Sequence, residues 1–317
     1  MMYDTSNINA GAIDIEDKKS LCSGVTRVIS VLSEEKWQES LASLTNQPIT
    51  LIDTLMKTAD QLSTKDGNSN IISALLEKIA NEILVLSIII RTFNNATEKH
   101  VGDATALSIL QTVWPFVNLL ASAQNNNEFL FSCLSELLLV AVSMSGKTNN
   151  VNLIQKIDEV ISKMMESVSK SNETKALHAV MELISGTIEA LGPLTDTDAK
   201  NQGNEEMSEE TRKMRDIIEQ LISRSLNLFQ ALNDDVKVDL LPKIFLICTS
   251  SIQHCPVLFI AIESQATNLN LEKIFIHTIM LAVTSVDQKH TDVARAALLY
   301  LKEIVSAELF CLNTNLI

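Results

Sequence analysis

The sequence feature that most restricts the fold lies at residues 281–305, LAVTSVDQKHTDVARAALLYLKEIV, where one helix ends and a second, amphipathic helix begins. Asp287 is expected to close the first helix, and Thr291 or Asp292 to cap the second. Apolar residues of the second helix recur at steps of three and four residues, the period of a helix packed along one side; they are Val293, Ala297, Leu301 and Ile304. Such a hairpin cannot bury its apolar face alone, so the pattern predicts stacked helical neighbours.

The length and composition of the chain favour an extended helical array. Its 317 residues exceed the usual size of one hydrophobic core, which predicts either two domains or an elongated array. Only eight glycines and five prolines are present, and aromatic residues make up 4% of the chain. Because strands joined by frequent tight turns need more Gly and Pro, this composition favours the array of long helices.

Apolar periodicity along the rest of the chain predicts eleven helical segments that fall into pairs. The pairs repeat about every 45 to 60 residues, near the repeat length of HEAT and armadillo arrays. The predicted fold is therefore an all-α HEAT/armadillo-type α-solenoid, a right-handed superhelix of antiparallel helix pairs. The predicted helices are 18–45 (which a break near Ser33 would divide), 47–62, 70–93, 104–124, 127–145, 150–170, 173–192, 209–232, 235–253, 270–286 and 291–310.

Four residues bear on where these helices begin. Pro48 and Asp235 each precede a long apolar stripe and are predicted to start their helices. Pro115 and Pro242 fall inside predicted helices, where each would cause a kink or mark a later start.

The organisation predicted from these segments is a disordered lead-in at 1–17, a HEAT-like array at 18–310 and a tail at 311–317. The array would contain about five to six helix pairs. Its longest polar linker is an acidic loop at 194–210, interpreted either as solvated surface or as a site for a basic partner. Helical pairs continue on both sides of this loop, so no domain boundary is predicted there.

The N-terminal segment and the apolar runs give no sign of membrane targeting. Residues 1–17 contain four acids and no Lys or Arg, the opposite of the charged start of a signal peptide. The apolar run at 83–90 is too short for a membrane span, and Glu136 interrupts the run at 129–144. We therefore expect a soluble, intracellular protein without a membrane partner.

The charge of the chain restricts its partners. The net charge is −14 at pH 7. An acidic surface repels nucleic-acid phosphates, so no direct nucleic-acid partner is expected. The same surface either suits a basic protein partner or serves solubility alone.

Residues with catalytic or metal-binding chemistry do not form a recognisable site. The five cysteines are scattered and odd in number, which favours buried thiols in a reducing compartment. Cys248, His254 and Cys255 lie close in sequence but lack a second ligand pair. Glycine-rich phosphate motifs, HExxH and GxSxG do not occur. The sequence therefore predicts a protein that is not an enzyme and has no metal or cofactor.

Four segments resemble a known family when they are taken together and in order. They are SLCSGVTRVISVLSEEKWQESLASLTNQPITLIDTL, TVWPFVNLLASAQNN, SSIQHCPVLF and the hairpin at 281–305. Over most of residues 20–308 the chain resembles the middle and C-terminal HEAT repeats of the importin-beta (karyopherin) superfamily of nuclear transport receptors, in particular its transportin-SR branch. The most specific pieces are Trp114-Pro115, Cys255-Pro256-Val257, and Asp287 with His290-Thr291-Asp292.

This resemblance implies a solenoid whose inner helices line a concave surface. Cargo proteins and the GTPase Ran bind inside that curve in the family, GTP-bound Ran releases import cargo, and the receptor shuttles between nucleus and cytoplasm past nucleoporins. The inner helices here would be 70–93, 127–145, 173–192, 235–253 and 291–308. The candidate cargo contacts on them are Glu128, Ser132, Glu136, Glu182, Glu189 and Arg295.

The chain departs from that family in two ways. The segment 127–145 has no Arg or Lys, whereas the corresponding helix of the transportin-SR branch carries arginines that bind phosphorylated Arg/Ser-rich cargo. Glu128 and Glu136 would favour a basic partner if they face the groove; otherwise the helix is mostly core with Glu at its solvent edge. No counterpart of the Ran-binding N-terminal repeats precedes residue 18, so we expect Ran to bind repeats outside this chain.

The missing counterpart also predicts that the first helix exposes an apolar edge. The alternative function is a HEAT-repeat scaffold or regulatory subunit of a cytoplasmic protein complex, with no role in transport.

Overall fold

The computed structural model describes residues 14–63, 68–97, 101–122, 127–148, 150–170, 174–201, 208–256, 269–285 and 290–307. These residues form eleven α-helices and no strand. The helices are α1 (Ile15–Ser30), α2 (Glu34–Ser63), α3 (Ser69–Ala96), α4 (Val101–Ala121), α5 (Glu128–Thr148), α6 (Val151–Ser169), α7 (Thr174–Asn201), α8 (Glu209–Ala231), α9 (Asp234–His254), α10 (Leu269–Ser285) and α11 (Thr291–Ser306). The prediction of an all-α chain is confirmed for the described residues.

The chain divides into two compact units, Met1–Phe116 and Val117–Ile317, and the division falls within α4. In the first unit, α1 and α2 both pack on α3. The indole ring of Trp37 meets the ring of Phe93 edge-on, with 5.3 Å between the ring centroids. Lys18 donates hydrogen bonds to both carboxylate oxygens of Glu82, at 2.5 and 2.6 Å. An aromatic contact and a largely buried ion pair therefore fix α2 and α1 on α3.

In the second unit, alternate helices pack side by side. Helix α5 contacts α7, α7 contacts α9, and α9 contacts α11. On the other side, α6 contacts α8 and α8 contacts α10. The core lies between these two rows, because α7 also packs on α6 and α8, and α11 packs on α10. The two-residue connection Leu232–Asn233 makes α8 and α9 antiparallel.

Contacts between α7 and α9 show that the two helices run parallel. His178 meets Asp239, Glu182 meets Lys243, and Glu189 meets Ser250, and each pair is separated by 61 residues. A constant separation means that partner numbers rise together along the two helices, which only parallel helices allow. The same register therefore holds along about three turns of each helix.

Two glycines of α7 let its neighbours approach closely. A Cβ at Gly186 would lie 2.5 Å from Cδ2 of Leu139 on α5. A Cβ at Gly192 would lie 2.5 Å from Sγ of Cys255 and 2.8 Å from the backbone oxygen of His254. At these positions a side chain would occupy space that α5 and the end of α9 already fill.

The helix boundaries agree with the sequence at some positions and differ at others. The break near Ser33 is confirmed, because α1 ends at Ser30 and α2 begins at Glu34. The predicted break between 45 and 47 is wrong, since α2 continues through Pro48 to Ser63. A proline inside a helix costs about 3 kcal/mol. One buried stripe nevertheless continues across it and packs on α3, formed by Trp37, Leu41, Thr45, Pro48 and Ile52.

Prolines elsewhere also lie inside their helices. Pro115 falls within α4 and Pro242 within α9, so neither marks a later helix start. Helix α9 begins at Asp234, within one residue of the predicted start at Asp235. Helix α7 continues through Pro193 to Asn201, inside the segment predicted as an acidic loop at 194–210. A Cβ built at Gly146 of α5 would lie 3.4 Å from Cδ1 of Leu194, so α7 remains next to α5 just beyond Pro193.

At the two ends of the chain the helix boundaries also differ from the predicted ones. Helix α1 begins at Ile15, inside the predicted lead-in, with Glu16 and Asp17 placed favourably in its first turn. The prediction that Thr291 or Asp292 caps α11 is wrong, because His290 is the N-cap residue and the two lie in the first turn. Asp287, the tail at 311–317 and most of the lead-in lie outside the described residues.

Candidate functional site

The six residues predicted to contact a partner lie on α5, α7 and α11. On α5, Glu128 and Ser132 are exposed and Glu136 is partly exposed. These three residues are spaced by four positions, so they follow one side of the helix. Residues on the other sides are buried, among them Leu130, Leu134, Leu137 and Leu138. Helix α5 is therefore a core helix with a narrow polar edge, as the sequence left open.

Helix α7 has a similar polar edge, which Glu182 and Glu189 share with Lys175. Their seven-residue spacing returns to the same side of a helix every two turns. Because α5 and α7 are direct neighbours, the structure brings five of the six predicted residues onto adjacent helices. Arg295 is exposed on α11, which contacts α9 rather than α7, so it is not part of this group.

Two of the predicted acids form ion pairs with lysines of the next helix in the row. Glu128 Oε2 lies 3.2 Å from Lys175 Nζ. Glu182 pairs with Lys243 of α9. The side chain of Glu128 is 48% exposed and that of Lys175 is 75% exposed, so this pair contributes at most about 1 kcal/mol. Both pairs join parallel helices, which gives these acids a structural role.

Glu189 accepts hydrogen bonds from buried serines. Ser250 Oγ lies 2.9 Å from Glu189 Oε1 and 2.9 Å from Ser185 Oγ, while Ser185 Oγ lies 3.3 Å from the same carboxylate oxygen. Each hydroxyl has one proton, so the shorter distances fit a chain in which Ser185 donates to Ser250 and Ser250 donates to Glu189. This arrangement holds one oxygen of the Glu189 carboxylate against the groove between α7 and α9.

The sequence did not identify the partners of these acids. Lys175, Lys243, Ser185 and Ser250 complete the interactions, and His178 Nε2 adds a contact of 3.2 Å with the backbone oxygen of Asp239. The common separation of 61 residues between α7 and α9 is a signal that could have found Lys243 and Ser250, but not Lys175, which pairs with α5. That signal needs the register between helices, which apolar periodicity does not supply.

The exposed edge of α9 continues this polar surface. Asp235 and Asp239 are exposed and Lys243 is partly exposed, at spacings of four residues, and Leu246 is exposed one turn further on. We call the exposed residues of α5, α7 and α9 the row surface; its members are Glu128, Ser132, Glu136, Lys175, Glu182, Glu189, Asp235, Asp239, Lys243 and Leu246. Acids outnumber lysines on it. Such a surface can bind a partner by ion pairs and hydrogen bonds.

A second polar contact lies on the opposite row. Arg224 of α8 pairs with Asp158 of α6 and also donates to the hydroxyl of Ser162. Burial raises the pKa of Asp158, and this effect outweighs the lowering by the Arg224 guanidinium. The pair therefore joins α6 to α8 at some cost in desolvation.

The buried thiol of Cys248 lies in a polar cluster that joins α9, α10 and α11. Thr278 Oγ1 lies 2.8 Å from the hydroxyl of Tyr300, and both groups hydrogen-bond to Cys248. Burial raises the pKa of Cys248 to about 12. The thiol is therefore protonated at neutral pH and does not have the thiolate character that nucleophilic or metal-binding cysteines need. Within the described part of the chain, no group of three or more His, Cys, Asp or Glu side chains could hold a metal ion.

Two helices within the described ranges are long and apolar enough, by length and composition alone, to cross a membrane. They are 104–121 and 128–146, of which 39% and 72% respectively are buried inside the protein. Length and composition allow one charged residue such as Glu136 within such a run, and core helices that are mostly buried meet the same criterion. Packing of α5 against α6 and α7 accounts for the apolar character of that run.

Comparisons with known proteins leave the resemblance to nuclear transport receptors untested. No protein-family model matches the chain, and no curated protein matches it significantly.

Proposed function

We propose that this chain is a HEAT-type α-solenoid that forms the C-terminal portion of an importin-beta-type nuclear transport receptor. The observation that carries the proposal is the parallel packing of alternate helices, with a constant separation of 61 residues between α7 and α9. Repeated helix pairs stacked in this way produce two rows of helices, one of which lines the inside of the array. The order of the four resembling segments supports the same class of protein.

In this proposal the row surface binds protein cargo without covalent chemistry. Its excess of acids complements a basic segment of the cargo, and complementary charge increases the rate of association and the selectivity for such partners. The edge of α9 contributes most, because Asp235 and Asp239 have exposed side chains in line with Leu246. A partner with lysines flanking an apolar residue fits this edge.

Release of cargo would depend on parts of the receptor outside this chain. Ran in its GTP form would bind other repeats, and the resulting change in curvature would be transmitted along the stacked helices to the row surface. A receptor that works in this way moves between nucleus and cytoplasm and contacts nucleoporins.

The test is a pulldown of a basic nuclear cargo by the complete gene product, with and without GTP-loaded Ran. We expect the cargo to bind and Ran-GTP to reduce this binding. The double substitution Asp235→Lys and Asp239→Lys should weaken the affinity for cargo about tenfold or more. The matched control is Glu166→Lys with Glu210→Lys, which makes the same charge change at exposed positions of α6 and α8. Absence of cargo binding and of Ran sensitivity would exclude the transport function.

A second candidate function is a HEAT scaffold or regulatory subunit of a cytoplasmic complex. The ion pairs of Glu128 and Glu182 with lysines of neighbouring helices favour it, because these acids already stabilise the packing of the row. Blocking nuclear export in cells distinguishes the two functions. A transport receptor accumulates in the nucleus under this treatment, whereas a cytoplasmic scaffold stays where it is.

A further inference from the structure

Helix α1 exposes a continuous apolar stripe on the side away from α3. Residues that face α3 are buried, namely Cys22, Thr26 and Ile29. The exposed stripe is formed by Leu21, Val25 and Val28, with exposed fractions of 56%, 38% and 63%; Leu32, 38% exposed, follows just after the helix ends at Ser30. The spacings of four and three residues within the helix describe one side of it. Exposed apolar stripes of this kind mark surfaces that contact another molecule.

A glycine on the same side supports this interpretation. A Cβ at Gly24 would meet nothing within 4 Å, so no neighbour in the chain requires a glycine there. Glycine inside a helix costs about 1 kcal/mol relative to alanine. A helix of another molecule that docks closely on α1 would explain why position 24 is a glycine, because the absence of a side chain lets the two backbones approach one another.

Helix α11 exposes a stripe of different character on the side away from α9. Its buried residues are Val293, Ala297, Tyr300 and Ile304. On the opposite side, Leu298 is 54% exposed and Val305 is 67% exposed. Arg295 and Lys302 are exposed in the same line, at spacings of three and four residues from these two. The α11 stripe therefore alternates cationic and apolar side chains.

The stripe of α1 continues at its N-terminal end with an acid, Asp17, which is exposed four residues before Leu21. If α1 of one copy lies parallel to α11 of another, one register places Leu21 beside Leu298, Val25 beside Lys302 and Val28 beside Val305. In that register Asp17 lies within one residue of Arg295, about 1.5 Å along the helix axis. Parallel packing of this type already joins α9 to its neighbour α7 within one chain. One chain thus supplies both halves of a contact in which two apolar pairs share one register and one pair of opposite charges lies within one residue of it.

We propose that the α1 stripe of one copy of this chain docks on the α11 stripe of a second copy, head to tail. This contact is heterologous, because each copy uses two different surfaces, so it joins copies head to tail into open chains or rings rather than into two-fold symmetric dimers. One helix pair buries less area than stable interfaces do, and association is therefore weak and depends on concentration. The inference does not depend on the transport function, since it concerns helices at other positions than the row surface.

Sedimentation equilibrium of the full chain over about a hundredfold range of concentration tests this contact. The average mass is expected to rise above that of the monomer as concentration increases. Val28→Asp and Val305→Asp should each prevent chain formation, and both positions are exposed, so the fold measured by circular dichroism should not change. A mixture of the two variants keeps one intact stripe of each kind and should form dimers only.

Charge exchange tests the register of the contact. Asp17→Arg and Arg295→Asp should each weaken association about threefold to tenfold, and the double variant should recover most of the loss. Glu166→Lys on α6 is the control for Asp17→Arg, with the same charge change of two units outside both stripes and no expected effect. A chain that stays monomeric at every concentration overturns the proposal and leaves the stripes to another partner. A double variant as weak as the single ones, or a mixture without dimers, also overturns it.

Discussion

The substitution of alanine for each of three glycines tests the close packing of α7 against its neighbours. Alanine in place of a helical glycine gains about 1 kcal/mol in helix propensity when nothing obstructs the new methyl group. Gly24→Ala measures this gain, because its Cβ would meet nothing within 4 Å. We expect this variant to be more stable than the natural chain by about 0.5–1 kcal/mol.

Gly192→Ala should have the opposite effect, because its new methyl group meets atoms that cannot move away. Its Cβ would lie 2.5 Å from Cys255 Sγ, 2.7 Å from His254 Cβ and 2.8 Å from the backbone oxygen of His254. Relief of these clashes requires the end of α9 to shift away from α7, and such overpacking costs about 1–3 kcal/mol. The three close contacts place the overpacking cost in the upper part of this range, at about 2–3 kcal/mol, so after subtraction of about 1 kcal/mol for helix propensity we expect a net loss of about 1–2 kcal/mol.

Gly186→Ala is the intermediate case in the same helix. Its Cβ would also approach an atom at 2.5 Å, but that atom is Cδ2 of Leu139, the far end of a partly exposed side chain. Leu139 can change rotamer toward solvent at a cost of about 0.5–1 kcal/mol. The cost of the new Leu139 rotamer nearly cancels the gain in helix propensity, so we expect a stability close to that of the natural chain.

Urea denaturation followed by circular dichroism measures the three variants, with stability differences taken from the midpoint at equal slope. The expected order of stability is Gly24→Ala, then Gly186→Ala, then Gly192→Ala. A Gly192→Ala variant as stable as the natural chain would refute the packing of α7 against the end of α9. Equal losses at Gly186 and Gly192 would refute the distinction between a movable side chain and a fixed backbone.

Three further predictions concern buried polar groups. Lys18→Met leaves the Glu82 carboxylate, which is 8% exposed, without its cationic partner. This variant should be less stable by about 2–4 kcal/mol in the same denaturation assay. The double variant with Met at both positions should be close to neutral, because no charge is left buried without a partner. The pKa of Asp158 is raised on folding, so between its unfolded and folded pKa the folded state binds more protons than the unfolded state. The contribution of Asp158 to stability should therefore fall as pH rises through that interval. Carboxyl-carbon NMR titration should place its pKa above the ordinary aspartate range, and a pKa below that range would contradict the reasoning. Burial raises the pKa of Cys248 to about 12, so its thiol should resist iodoacetamide at pH 8 in the folded chain and react after addition of urea. Mass spectrometry of tryptic peptides measures this labelling. Labelling of the folded chain at the rate of a free thiol would contradict the prediction.

Much of the helical organisation could be predicted from the sequence because apolar periodicity is a local property. The break between α1 and α2 follows from the loss of period near Ser33, and the start of α9 from the polar residues before its apolar stripe. Prolines misled the prediction where packing outweighs local preference. Pro48 lies on the buried side of α2, so contacts with α3 hold the helix together across it.

The contacts between helices could not be predicted in the same way. Glu182 and Lys243 lie 61 residues apart, and nothing near either residue in sequence indicates the other. The register of α7 against α9 depends on the absence of a side chain at Gly192, which lets His254 and Cys255 pack against α7. Sequence therefore identified acids on the exposed edges of α5 and α7 without showing that two of them already have cationic partners.

Those ion pairs change what the row surface can offer to a basic partner. A lysine of a basic partner that binds Glu182 competes with Lys243 for the same carboxylate, so an exposed ion pair already present is partly exchanged for another and the free energy of binding gains little. No displacement is needed at Asp239, which is exposed and uses only its backbone oxygen in the contact with His178. Titration of the chain with a fluorescent lysine-rich peptide should therefore show a larger loss of affinity for Asp239→Asn than for Glu182→Gln. The reverse order would mean that the partner does displace Lys243, and that the groove between α7 and α9 opens on binding.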